Sequence, residues 1–157
     1  MRAARIGAVI GVLGALIAAP SVATAAPTAT TISIHIVFPP PNTNDPPTET
    51  FTTTGGLLCP SGTAVSDPFF QTFGGRANRG VFTFHLVKTL TCDDGSGTFK
   101  ILVDAGSNPT SPGTIGGFAT GHGTGEYVGI HGGGSLVGTY FDGGLDDLYT
   151  GRLTIAP

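Results

Sequence analysis

The sequence predicts an all-β domain, an antiparallel β-barrel of seven or eight strands behind a short N-terminal export segment. Three observations predict it. Apolar and polar residues alternate with period two in several short runs, as in strands with one buried face. Twenty-six Gly and twelve Pro among 157 residues break these runs at short intervals, as turns between strands do. After residue 26, no ten-residue stretch carries apolar residues at helical spacing, so helix is a minor component.

The export segment comes first. Met1, Arg2 and Arg5 form a positive start, residues 6–19 are apolar or small, and Pro20 precedes the small residues Ser21 to Ala26. Charge, apolar core and an A-x-A-like site are the order of a secretory signal peptide. Ala23-Thr24-Ala25 places the cut after Ala25. The apolar run is 14 residues long, short of the ~20 needed to span a bilayer. The chain divides into a signal peptide, 1–25, and one domain with one core, 26–157. The expected location is extracellular, with no stable membrane insertion after cleavage.

The first strand covers residues 30–38, with Ile32, Ile34, Ile36 and Phe38 on one face and Thr31, Ser33 and His35 on the other. Proline cannot donate into a ladder, so Pro39-Pro40-Pro41 ends it. Residues 39–47 are an extended loop, and 49–54 a short strand before Gly55-Gly56. A weaker strand region spans 63–73, broken by Pro68. Residues 81–92 form the strongest strand, with Phe82, Phe84 and Leu86 opposite Thr83, His85 and Val87. Asp94-Gly95 marks a hairpin turn, and 98–104 returns. Residues 105–113 are a second long loop, 114–122 a glycine-rich strand and 123–132 a compact turn. Residues 135–141 form a strand, 142–147 a loop, and 148–155 the last strand. Such a set removes its edges by closing into a barrel or pairing as a sandwich. Glycines at 117, 121, 138 and 151 suit tight coiling and favour the barrel.

Two cysteines, Cys59 and Cys92, remain after cleavage. In an exported chain an even pair without C-x-x-C spacing reads as a structural disulfide. Loss of Arg2 and Arg5 takes the formal charge from −3 to −5. An acidic domain with scattered cations has no electrostatic footprint for nucleic acid.

Motifs for chemistry are sparse. His35, His85, His122 and His131 form no metal-ligand spacing. His35 and His85 lie opposite the apolar residues of their strands, facing solvent or a polar barrel interior. In the second case they could meet across it, which makes them the candidate polar site. His122 and His131 flank the glycine turn. Asp142, Asp146 and Asp147 share one predicted loop, and Asp93 and Asp94 another. Carboxylate-rich loops can hold calcium, but EF-hand spacing is absent and Asp is a common turn former. No phosphate loop or nucleophile elbow is present. No catalytic residue is assigned, and no metal site or cofactor is expected.

One region carries a family resemblance. Residues 123–130 read Gly-Thr-Gly-Glu-Tyr-Val-Gly-Ile, followed by Gly132-Gly133-Gly134-Ser135-Leu136 and by Tyr149-Thr150-Gly151-Arg152-Leu153. This resembles the C-terminal half of the allene oxide cyclase barrel-like and dirigent-like proteins, over about a quarter of the chain. The resemblance implies an eight-stranded, calycin-like antiparallel barrel with a small apolar cavity, oligomeric in many plant members. Gly123, Gly125, Gly129 and Gly132 are expected to shape the turn, where glycine adopts positive φ freely. Tyr127 and Ile130 are expected to plug one barrel end. No catalytic motif of the plant enzymes is matched. The expected function is binding of a small apolar molecule inside a secreted barrel. The alternatives are a cyclase- or dirigent-like enzyme acting in that cavity and an extracellular interaction protein using loops 39–47 and 105–113.

Overall fold

Ile32, Ile34 and Ile36 are buried, and Ser33 and His35 between them are exposed, so the first strand folds with these three inward as predicted, whereas Phe38, predicted on the same face, follows the last strand residue and is exposed. A computed structural model describes residues 25–67, 70–73, 82–107 and 113–156. The predicted signal peptide lies outside them, apart from Ala25. The strands are β1 (Thr28–Val37), β2 (Thr48–Thr54), β3 (Ser61–Ser66), β4 (Phe70–Phe73), β5 (Phe82–Cys92), β6 (Thr98–Ser107), β7 (Gly113–Gly123), β8 (Ile130–Phe141) and β9 (Gly144–Ile155). A single 3-10 turn, Gly125–Tyr127, stands between β7 and β8.

All pairings are antiparallel. Each strand from β5 to β9 pairs with the next, β9 pairs with β1, and β1, β2 and β3 follow. The β3–β5 pairing closes the ring. Strand β4 continues along β5 beyond β3: Ser66 faces Lys88 and Phe70 faces His85. The register steps by one residue between them, where the sequence predicts a break at Pro68, itself outside the described residues. β3 and β4 therefore act as one stave, and the protein is a closed eight-stranded barrel. Closure leaves no strand edge running the length of the sheet.

One half of the interior is filled. Ile32, Ile34, Leu90, Phe99, Ile101 and Leu153 are wholly buried. Each such apolar side chain contributes roughly 1.5–3 kcal/mol relative to exposure. Phe99 meets Phe51 edge-on at 6.0 Å and Tyr127 at 5.2 Å. Tyr127 and Ile130 are buried at this end, as the plug reading expects. The Tyr127 hydroxyl accepts the Cys59 N–H at 2.9 Å and lies 2.9 Å from Ser96 Oγ. The Cys59–Cys92 disulfide is formed beside it. Its 33-residue separation ties the β5–β6 hairpin to the segment before β3.

The turn glycines have distinct reasons. Gly125 and Gly129 adopt φ of 59° and 79°, the left-handed region that glycine enters without a Cβ penalty. Gly123 has ordinary φ, but a Cβ there would overlap the Tyr127 carbonyl.

The largest boundary differences from the sequence reading lie in the Gly- and Asp-rich segments. Gly132, at φ 133°, lies within β8 rather than in the turn. Strands β6 and β7 shorten the predicted 105–113 loop to residues 108–112, which lie outside the described residues. The predicted 142–147 loop is a tight hairpin through Asp142 and Gly143, with φ of 86° at Gly143, and β9 already begins at Gly144.

Candidate functional site

The other half of the interior is polar at its floor. The alternation that buries Phe51 on β2 also turns Glu49 inward. On β5, Lys88 shares the inward face with Leu90, and on β9, Asp147 stands between inward Leu145 and Tyr149. Glu49, Lys88 and Asp147 are 6%, 2% and 6% exposed.

Lys88 Nζ lies 2.6 Å from Glu49 Oε2 and donates to Ser66 Oγ at 2.7 Å. The Ser66 hydroxyl donates to Glu49 Oε1 at 2.6 Å. Both glutamate oxygens are thereby engaged. The pair reaches across β3, whose inward residues are the small Gly62, Ala64 and Ser66. Bulkier residues on that stave would block the contact.

Asp147 accepts from Tyr149 Oη at 3.1 Å and from Thr114 Oγ1 at 3.4 Å. Burial pushes its carboxyl above the usual range, against the opposing pull of the Lys88 charge and these two hydroxyls. Burial and the Asp147 charge push the Tyr149 phenol up as well. Gly138 keeps space beside the carboxylate, because a Cβ there would overlap Asp147 Oδ1 and Thr114 Oγ1.

Above this floor lies a cavity of about 300 Å³. Its walls are apolar, formed by Ile36, Val103, Leu136 and Leu145 among others, and Phe38, Asp67 and Tyr140 stand at its mouth. The arrangement can hold a molecule with an apolar body and a polar or charged end, and can exchange a proton with it at Asp147.

The predicted polar site is not assembled. His35 Nδ1 is 2.6 Å from Asp146 Oδ1 on the outer surface, and its ring stacks on Phe141 at 5.0 Å. His85 pairs with Asp104, also outside. The two histidines face solvent on β1 and β5, because apolar side chains claim the interior face of both strands. His131 engages Gly129 O at 3.0 Å and Thr154 Oγ1 at 3.1 Å.

The aspartate loops also resolve differently. Strand alternation splits Asp146 outward and Asp147 inward, so 142–147 presents no shared carboxylate cluster. Asp94 accepts the Ser96 N–H and hydroxyl, which hold its carboxyl below the usual range, and Asp93 accepts from Ser61 Oγ at 2.8 Å. These are turn and cross-strand contacts. Among the described residues, Cys59, Cys92 and Asp94 bring three potential ligand atoms together. Both sulfurs there are already joined to each other.

Sequence reasoning misses Glu49, Lys88 and Tyr149, and places Asp147 in a loop. The signal that could find them is parity, since each sits at an inward position of a strand whose other inward residues are largely apolar. No family model, no curated protein and no solved structure matches the chain.

Proposed function

We propose that the protein is an exported barrel that binds a small, largely apolar molecule in the open half of its interior. The observation that carries this reading is the cavity: about 300 Å³, apolar in its walls, with a few polar groups converging at the floor. That size and lining match small-molecule sites at the lower end of their range. Export rests on the charge, apolar run and A-x-A pattern of residues 1–25. The Cys59–Cys92 bond supports it, because disulfides persist in oxidising compartments.

A second reading is an enzyme working in the same cavity, in keeping with the likeness of residues 121–155 to the cyclase and dirigent-like barrels. It is favoured by Asp147 and Tyr149, two contiguous groups whose proton affinities are both raised by burial, a pattern common at catalytic sites.

Native mass spectrometry of the protein from its own culture medium tests the binder. The expected spectrum shows one small organic molecule per barrel, released on collisional activation. A bare chain in a discrete dimer or trimer would instead support an assembly role.

A further inference from the structure

The charges lining the cavity do not balance. Among the described residues that line it, three carry carboxyl groups, Glu49, Asp67 and Asp147, and one, Lys88, is a cation. Lys88 is committed to Glu49 at 2.6 Å, and both oxygens of Glu49 are taken. Asp147 is buried and held only by hydroxyls, and among the described residues no cation forms an ion pair with it. Burying a carboxylate without an ion-pair partner is costly, yet the fold is built to seat it there: a Cβ at Gly138 would overlap Asp147 Oδ1 and Thr114 Oγ1, so only glycine lets that strand pass so close.

We infer that the cavity takes a monocationic amine with an apolar body, its ammonium seated at Asp147. This rests on the binding reading above and names the ligand class. The ammonium gives Asp147 an ion-pair partner of its own, and the apolar walls take the hydrocarbon part. Asp67 at the mouth and the acidic domain as a whole favour entry of a cation. An anionic ligand would meet three carboxylates. Burial raises the proton affinity of Asp147, so a proton and an ammonium compete for the same carboxylate.

The test is calorimetric titration of the mature protein with octylamine, 1-octanol and octanoate near neutral pH, in wild type and Asp147→Asn. These probes share one hydrocarbon chain and differ in the charge of the head group. The expected order is amine first, tighter than the alcohol by about tenfold or more, with the carboxylate weakest. Asp147→Asn should abolish the preference for the amine over the alcohol, and a circular dichroism spectrum matching wild type shows that the variant is folded. As acidification protonates Asp147, amine binding should increasingly release protons, seen as a heat that depends on the buffer. Equal binding of amine and alcohol, or an amine preference that survives in Asp147→Asn, overturns the cation assignment and leaves the cavity reading standing. Failure of all three probes to bind overturns both.

Discussion

Lys88 and Glu49 meet at 2.6 Å inside the barrel, across an intervening strand, with side chains 3% and 5% exposed. Such a pair is weak evidence of net stabilisation, because desolvation offsets the Coulomb attraction. Removing one partner is different. Lys88→Met leaves Glu49 buried and unpaired and should destabilise the barrel by about 3–5 kcal/mol. The double variant Lys88→Met/Glu49→Leu should recover most of that loss. Denaturant titrations of the three proteins decide it, and a single variant within ~1 kcal/mol of wild type would show the pair to be solvated.

Asp147 should weaken the fold at neutral pH. In the unfolded chain it titrates near ~4, and burial, the largest cause, raises it in the folded chain. The folded protein therefore keeps this proton to higher pH than the unfolded one. Its contribution to stability is complete below ~4 and is lost as pH rises through the folded value. Asp147→Asn should thus be more stable than wild type near neutral pH, with an advantage that shrinks on acidification. Denaturation midpoints measured across this range check the sign, and an advantage that grows toward acid would refute it.

The disulfide closes a 33-residue separation, worth roughly 3–4 kcal/mol by loop-closure entropy. Cys59→Ser/Cys92→Ser should lose about that much in denaturant titration. A loss under ~1 kcal/mol would mean that the ladder around Ser61–Ser66 holds the loop unaided.

Tyr127→Phe removes the acceptor of the buried Cys59 N–H. Leaving such a donor unsatisfied costs about 1–3 kcal/mol. Thermal melts of the oxidised protein should show the drop, while the substituted phenyl ring keeps its packing against Phe99. An unchanged melting temperature would indicate that water replaces the hydroxyl.

On the proposed export, protein recovered from the medium should begin near Ala26, with an intact mass two hydrogens below that of its reduced form. Intact-mass analysis reads both at once. A secreted chain retaining Met1 would contradict the export reading.

Much of the barrel is legible in residue order because strand structure is a local, period-two property. Ile32, Ile34 and Ile36 declare the inward face of β1 without reference to any partner, and the cysteine pair and turn glycines are equally local signals. Boundaries are less legible where Gly and Asp occur inside strands. Gly132 and Asp146 look like turn residues, yet ladder pairing with Leu153 and Thr139 holds them in β8 and β9.

The candidate site shows where residue order alone stops. Parity places Glu49, Lys88 and Asp147 on inward faces, and that much is present in the sequence. Their meeting is not, because it depends on the β3–β5 pairing that closes the ring and on small residues along β3 that let Lys88 reach Glu49. His35 and Asp146, 111 positions apart, likewise meet only because β1 lies beside β9. Local residue order specifies the alternating strands and the one possible disulfide, but not every turn, as the hairpin at Asp142 and Gly143 shows. Only tertiary closure decided which buried charges share one cavity, because Coulomb and hydrogen-bond energies depend on distance in space rather than along the chain.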